Sequence, residues 1–305
     1  MMAVLVLCFA RVDTLKQTIA SILAQPHGPI YISCDGPTDN YKNRCAEVEE
    51  YVRELLKLGV IQNLRISELN EGTLKGVSKG IDWFFERETT GIIIEDDLVL
   101  EPKLLEAVEN ASCFLSDQTI VSIGLHNRTP SVHISDNTKI ARRSRFVISW
   151  GWVTTRKEWR DRVTSFREVD LINLFSIMVK EIGLSSAAYH FWFYLKQRKL
   201  EKNDVSKCNW DDLWQINCFL KNKSVAVFNR NLITNIGNGE GSMHTFGKPL
   251  FAEITPISDL EFKSSDFWKL PRDIDNLSDA FFTRKRKMST IFKEKLRIRT
   301  RLNLK

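Results

Sequence analysis

Residues 91–98 constrain the fold of this chain more than any other segment. Gly91 and the apolar run 92–94 lead directly into Glu95, Asp96 and Asp97. An apolar run opened by glycine and set between helical patterns is typical of a buried parallel strand. Open α/β sheets bind ligands beyond the carboxyl ends of such strands. The run therefore predicts a charged ligand site at a sheet edge.

Three adjacent carboxylates repel one another unless a cation neutralises them. Hard oxygen ligands suit Mg²⁺ or Mn²⁺, which usually share their coordination shell with substrate phosphates. We interpret the cluster as a divalent-metal site for a nucleotide diphosphate. The alternative is a solvated acidic turn after a strand.

Strand-like and helical patterns alternate through residues 1–125. This alternation predicts an α/β fold, with a mostly parallel central sheet and helices on both faces. The expected strands are 4–8, 30–34, 64–67, 92–94 and 120–124, and the expected helices are 14–23, 43–58, 74–85 and 102–115.

After residue 125 the alternation becomes less regular, and we divide the chain into 1–125, 126–250 and 251–305. Strand-like runs at 145–148 and 225–229 accompany helical patterns at 156–162 and about 171–200. Residues from about 250 are polar and irregular, and the chain ends in a basic segment.

The composition favours a cytoplasmic globular protein. No apolar run of the sequence is long enough to span a bilayer, and the first residues show no signal-peptide pattern. The six cysteines form no CxxC and no zinc-type spacing. Cys8 and Cys34 lie in apolar runs, so we expect them to be reduced core thiols.

Most of the positive charge lies at the carboxyl end. The whole chain carries +6, whereas residues 284–305 contain ten Lys or Arg and one Glu, a net +9, which leaves −3 for the rest. If 288–302 is helical, its apolar residues fall roughly on one side, as in helices that lie in a membrane interface. We expect this tail to bind the inner face of an anionic membrane; the alternative is a solvated basic end.

Arg11 and Asp35 follow the first two predicted strands and should reach the same edge as the carboxylates. Asp35 could accept a hydrogen bond from uracil or ribose, and Arg11 could meet phosphate or base. The alternatives are an ordinary surface arginine and a turn residue before Gly36 and Pro37.

The segment 209–215 is Asn-Trp-Asp-Asp-Leu-Trp-Gln, which reads as the start of a helix. Trp210 and Trp214 would bracket Asp211, and shielding from water raises the pKa of a carboxylate toward that of a general base. The alternative is an acidic helix N-terminus beside two core tryptophans.

Residues 237–245 form a glycine-rich segment that contains Ser242 and His244. Glycines let backbone amides approach a phosphate, and the two side chains could add contacts to a diphosphate or, for His244, to a metal. Such loops are common, and a lone loop histidine more often has neither role.

These segments together resemble the GT-A-fold glycosyltransferases over roughly residues 3–246. The chain is most similar to bacterial sugar transferases of surface-polysaccharide clusters, which resemble the N-acetylglucosaminyltransferase I family. The matching stretches are LVLCFARVDTLKQTIASIL, ISCDGP, EGTLKGVSKGIDWFFE, GIIIEDDLVLEP, ISWGWVTTRKEW, WDDLW and NIGNGEGSMHT.

The resemblance implies an inverting, metal-dependent transfer from a nucleotide-diphosphate sugar, with UDP as the expected nucleotide, to a lipid-linked or growing glycan. Residues 1–125 would be the donor-binding half of the domain and 126–250 the acceptor-side, catalytic half. The resemblance implies that Asp97 binds Mn²⁺ or Mg²⁺, and that Glu95 and Asp96 lie near the donor ribose and sugar. It implies that Arg11 and Asp35 bind the uridine and that Ser242 contacts the diphosphate. Trp210 would line the sugar pocket, and Asp211 would be the catalytic base.

One position departs from the animal enzymes of that family, which have a base-contacting histidine about twenty residues before the carboxylates. This chain has Leu74, Lys75 and Gly76 there. A sugar nucleotidyltransferase is the first alternative, but it would usually have a glycine-rich loop after the first strand, and residues 9–13 contain no glycine. A nucleic-acid-binding protein is the second; it would explain the basic tail but not the carboxylates, so we expect no nucleic-acid partner.

Overall fold

A mixed eight-stranded sheet forms the centre of the protein. The computed structural model describes residues 1–237 and 269–283. The strands are β1 (Ala3–Cys8), β2 (Ile30–Cys34), β3 (Asn63–Ile66), β4 (Thr90–Glu95), β5 (Leu98–Leu100), β6 (Ile120–Gly124), β7 (Ala141–Ser144), β8 (Trp152–Thr155), β9 (Ser224–Phe228) and β10 (Ile233–Asn235).

The sheet order is β3-β2-β1-β4-β8-β6-β9-β7, and β5 pairs with β10 in a separate two-stranded ribbon. Strands β8 and β7 run opposite to the other six strands of the large sheet. The prediction of a mostly parallel central sheet is therefore confirmed.

The helices are α1 (Val12–Leu23), α2 (Lys42–Lys57), α3 (Gly72–Phe85), α4 (Leu104–Ala111), α5 (Arg156–Arg160), α6 (Leu171–Ile182), α7 (Leu184–Asn203), α8 (Trp210–Leu220) and α9 (Asn276–Thr283). They cover both faces of the sheet. Alternate side chains of β1 show why, since Val4 and Val6 pack in the cluster with α1, α2 and α4, whereas Leu5 and Leu7 pack in the cluster with α3 and α5–α8.

The predicted helix at about 171–200 was wrong in its continuity. It is two helices that are joined at Gly183, whose φ of +75° lies in the region that favours glycine. Asp170 starts α6, because its carboxylate accepts from the backbone N–H groups of Ile172 and Asn173.

The predicted strand at 145–148 was also misplaced, because β7 occupies Ala141–Ser144 and pairs with β9. The two arginines of β7 are buried, and their guanidinium groups have specific hydrogen-bond partners. Arg142 donates to Ser278, Asn229 and Asn127 at 2.8, 2.9 and 3.0 Å, which joins β7 to α9.

Cys8 and Cys34 are buried free thiols, as predicted. None of the helices in the described ranges is long and apolar enough to cross a bilayer.

Candidate functional site

The acidic segment lies at the carboxyl edge of the sheet, where β1 and β4 end side by side with Leu7 opposite Glu95. Arg11, which follows β1, reaches across to it. Its guanidinium contacts Asp96 at 2.5 Å and Asp97 at 2.9 Å. Arg11 and the carboxylates therefore lie together at the strand ends, where the sequence predicts them.

Asp96 is almost fully buried and is held by the turn after β1. It accepts from the Phe9 backbone N–H at 3.3 Å, and its own carbonyl accepts from Thr18 Oγ1 at 3.0 Å. Burial raises the pKa of Asp96 to about 6, although the Arg11 charge opposes that rise. These contacts anchor the cluster to β1 and α1.

Asp97 has one satisfied and one unsatisfied oxygen. Oδ2 pairs with Arg11, whereas the buried Oδ1 has no hydrogen-bond partner among the described residues. A buried carboxylate oxygen without a donor is costly unless a ligand completes it.

Gly237 lies directly against this pair. The Ile236 backbone N–H donates to the Asp97 carbonyl at 2.9 Å, and a Cβ at Gly237 would overlap the Asp97 carboxylate and crowd Arg11. The predicted glycine-rich segment therefore begins on top of Asp97. Ser242 and His244 lie outside the described residues.

Glu95 is half-buried in the same cluster. Burial raises its pKa to about 8, and the negative charges of Asp97, Asp96 and Asp211 add to that rise. Because the charge of Asp211 acts on Glu95, the first turn of α8 lies near the acidic segment. Four carboxylates thus share this edge, with Arg11 as the cation in contact with two of them.

Asp211 and Asp212 differ in their surroundings, although both lie in the first turn of α8. Asp212 accepts from the Asn209 side-chain amide at 3.3 Å, at the start of the helix. The negative charge of Asp211 acts on Glu95. The two neighbouring carboxylates therefore have different known partners.

The two tryptophans around Asp211 are core residues. Trp210 stacks on Trp152 with ring centroids 5.4 Å apart, and Trp214 packs on both Trp152 and Trp159 at 5.4 Å. Trp210 also borders a cavity of about 260 Å³ between α3, α5, α7 and α8. These contacts fix the start of α8 relative to β8.

Asp35 lies at the end of β2 with all its acceptor positions used. It accepts from the backbone N–H groups of Gly36, Glu71 and Gly72 at 2.9, 2.9 and 3.1 Å, and from Asn70 Nδ2 at 3.1 Å. A carboxylate offers about four such positions. Asp35 therefore holds the turn before α3, and a contact to a nucleoside would have to replace one of these bonds.

A further group lies beyond the end of β6 and was missed in the sequence. His126 is buried, with its ring 5.0 Å from that of Trp150, and Arg128 lies 4.8 Å above the Trp150 ring. Burial lowers the pKa of His126 to about 3, so the ring is neutral. The sequence feature that could have indicated this group is the position of His126 and Arg128 just after the predicted strand at 120–124.

The acidic segment fits a divalent cation. Mg²⁺ and Mn²⁺ are commonly held by one or two carboxylates together with phosphate oxygens, and Asp97 Oδ1 is a buried carboxylate oxygen with no hydrogen-bond partner among the described residues. Within the described ranges, no group of three or more His, Cys, Asp or Glu side chains is arranged to enclose a metal. A cation here would need oxygens from a substrate.

No protein-family model and no curated protein sequence matches this chain. Among solved structures, S. aureus TarS 1-349 is 9% identical with a TM-score of 0.44, over 78% of this chain and 61% of that one. GalNAc-T7, with UDP, GalNAc and Mn²⁺, is 13% identical with a TM-score of 0.42, over 75% and 42%.

A third similar structure is described as a glucose-1-phosphate thymidylyltransferase from Bacillus anthracis in complex with sucrose. It is 11% identical with a TM-score of 0.41, over 81% of this chain and 98% of that one. This chain spans less than two thirds of the TarS and GalNAc-T7 structures. At these scores the likenesses carry no weight for function, and the chemistry of the site rests on its own geometry.

Proposed function

We propose that the protein is a glycosyltransferase that moves a sugar from a nucleotide-diphosphate donor, with UDP as the expected nucleotide. The observation that carries this proposal is the buried carboxylate cluster at the strand ends, in which Asp97 Oδ1 has no partner among the described residues. A cation and a diphosphate together would satisfy that oxygen and the excess negative charge. In a cluster with only a structural role, the missing hydrogen bond to Asp97 Oδ1 would cost stability without any benefit.

Asp97 is the residue that would hold Mn²⁺ or Mg²⁺. When bound, the cation would neutralise charge on the departing diphosphate. Arg11 contacts both Asp96 and Asp97, so it fixes the two carboxylates and presents a positive charge to the same diphosphate. Glu95 and Asp96 would lie near the donor ribose and sugar.

Asp211 would be the general base of an inverting single displacement. It lies in the first turn of α8 and acts electrostatically on Glu95, which supports a position beside the reacting centre. It would take the proton of the acceptor hydroxyl while that oxygen attacks the anomeric carbon. Trp210 supports this position by fixing the helix start against Trp152.

The remaining roles extend from the same edge. Asp35 would face the nucleoside, and Ser242 and His244 would meet the diphosphate from the segment that starts on Asp97. The acceptor would be a lipid-linked or growing glycan of a surface polysaccharide. The protein would act in the cytoplasm, at the inner face of an anionic membrane to which its basic tail binds, and without a nucleic-acid partner.

The test is a panel of nucleotide sugars with and without Mn²⁺, with release of the free nucleotide diphosphate as the readout. We expect cation-dependent release from one donor. A parallel reaction with a nucleoside triphosphate and a sugar 1-phosphate separates the alternative, since pyrophosphate release there would identify a sugar nucleotidyltransferase. Cation-independent release, or none from any donor, would contradict the proposal.

A further inference from the structure

The hairpin formed by α6 and α7 exposes large apolar side chains on its outer face and buries several polar side chains on its inner face. Three of its large apolar side chains are among the most exposed of the protein: Ile172 at 85%, Leu184 at 64% and Leu195 at 41%. A surface helix normally turns such residues inward. On α7 the buried positions instead include small and polar residues, namely Ser186, Ala187, His190, Tyr194 and Gln197.

Aromatic residues occupy the same two helices. Phe175 of α6 packs on Phe191 of α7 at 4.9 Å between ring centroids, and both half-buried rings also pack against the core. Trp192 and Phe193 follow on α7; both are half-buried, and their rings lie 6.4 Å apart. An apolar and aromatic surface of this kind marks an interaction site.

The exposed charges of the two helices are positive. Lysines stand at four exposed positions of the hairpin, and none of them forms an ion pair within residues 1–237 and 269–283: Lys180, Lys196, Lys199 and Lys202. Both glutamates of α6 and α7 point to the protein body. Glu181 pairs with Arg145 at 2.6 Å, and Glu201 accepts from Ser165 Oγ at 3.0 Å.

We propose that the outer face of the α6–α7 hairpin binds an anionic lipid surface. Exposed leucine and isoleucine, tryptophan near the surface and a set of lysines are the features of helices that lie in a bilayer interface. The long lysine side chains reach the phosphates while their stems stay in the apolar layer. Lysine is depleted in the cores of protein–protein interfaces, so the combination favours lipid over a protein partner.

This surface has a defined relation to the acidic edge. Three of the four lysines, Lys196, Lys199 and Lys202, lie in the second half of α7, and only the short segment 204–209 separates α7 from α8. Asp211 follows at the start of α8. Membrane contact through the hairpin would therefore hold the first turn of α8 close to the lipid surface, where a lipid-linked acceptor is presented. That consequence rests on the proposed function, whereas the lipid contact does not.

The test is co-sedimentation of the full chain with phosphatidylcholine vesicles that do or do not contain phosphatidylglycerol. We expect binding only to the anionic vesicles. Lys196→Gln and Lys199→Gln should each weaken it about fivefold, and the loss should shrink at high salt. Ile172→Ser combined with Leu195→Ser should weaken it at least about tenfold at any salt concentration.

The matched control combines Leu56→Ser on α2 with Leu58→Ser directly after that helix. These two leucines are exposed by 40% and 66%, and the control should bind like the wild type. Circular dichroism checks the folding of every variant. Equal pelleting of hairpin variants and wild type would overturn the proposal and leave the basic tail as the lipid contact. Failure of the wild type to pellet with anionic vesicles at low salt would also overturn it.

Nucleotide release measured without vesicles separates this result from the proposed function. It should be the same in the wild type and in all hairpin variants. Absence of release from every donor would remove the proposed function, but vesicle binding that depends on the hairpin would still support the lipid contact.

Discussion

Asp97 combines deep burial, an arginine partner for one oxygen and no partner for the other. Asp97→Asn removes a charge from a crowded acidic cluster, so without metal we expect unchanged or slightly higher thermal stability. Binding of UDP in Mn²⁺ should fall below detection in calorimetry. The control is Asp39→Asn at a fully exposed position. UDP affinity like that of the wild type in Asp97→Asn would refute the metal assignment.

Asp211 and Asp212 provide a matched pair for the catalytic base. Asp211→Asn should lower kcat by about 10²- to 10⁴-fold, the range for loss of a general base, while the donor Kd stays unchanged. Asp212→Asn should have a small effect, because that carboxylate binds Asn209. Turnover and product anomer are measured together. A larger loss in Asp212→Asn would reverse the assignment, and a product that keeps the donor's anomeric configuration would exclude inversion.

Gly237 allows a close approach that no side chain permits. Gly237→Ala would place a Cβ in the Asp97 carboxylate, so we expect cation-dependent UDP binding to weaken by about tenfold or more, a cost of about 1.4 kcal/mol. Because Gly237 is close to the surface, the melting temperature should change little. Gly59→Ala is the comparison for UDP binding, since the space around Gly59 is open. Its φ of +71° means that this control itself lowers the melting temperature. Unchanged UDP affinity would show that the contact is not retained in the bound state.

His126 makes stability depend on pH. Its folded pKa of about 3 lies below its ordinary value of 6.5, so the unfolded chain takes up the proton first as the pH falls. The stability is present above pH 6.5 and is lost progressively toward pH 3. Between pH 7 and pH 5 the free energy of unfolding should fall by about 2 kcal/mol through this group. Urea unfolding of His126→Leu should show a correspondingly smaller fall, and an identical fall would contradict this account.

At the scale of elements, the sequence predicts strands best where burial is continuous. β1, β2, β4 and β6 are apolar on both faces, so their composition alone identifies them. β7 reads Ala-Arg-Arg-Ser, and its place in the sheet depends on partners from β9 and α9. Such long-range hydrogen bonds leave no periodic pattern in the sequence. The same reason explains why 145–148, which is more apolar, was the predicted strand.

Arg142 is the link between β7 and α9, and its burial lowers its pKa to about 10. Arg142→Ala leaves several buried acceptors without a donor, so we expect a loss of about 3 kcal/mol or more in unfolding free energy. Limited proteolysis should then cut near α9 earlier than in the wild type. The control is Arg53→Ala, which removes an exposed ion pair with Glu49 on α2. It should lower the unfolding free energy by less than about 1 kcal/mol. Equal costs would show that the network does not hold α9.

The candidate site divides in the same way. The meeting of Arg11 with Asp96 and Asp97 follows from strand order, and the sequence predicts it. The four hydrogen bonds of Asp35 depend on the loop at 70–72, and the packing of His126 on Trp150 depends on β8 lying beside β6. Neither could be predicted, because both require the tertiary arrangement of distant segments.

At the scale of the whole molecule, charge is separated between regions. The carboxylates gather at the strand ends, exposed lysines lie on α6 and α7 of the hairpin, and residues 284–305 carry a net charge of +9. An anionic donor is repelled by the first of these unless a cation binds with it. An anionic membrane would attract the other two. Under the two proposals, the surface that binds lipid is therefore separate from the site that binds a metal.

Strand β8 lies between β4 and β6 and pairs with both, so the two halves of the sheet are joined by a strand that follows β7 in the chain. In the large sheet, every strand on one side of β8 comes from residues 1–95, and every strand on the other side comes from residue 120 onward. A chimera that exchanges the portion after β5 for that of another enzyme must therefore import β8 with it. Under the proposed function, the match in backbone register between β4 and the imported β8 would then decide whether the chimera can combine a new acceptor preference with the original donor site.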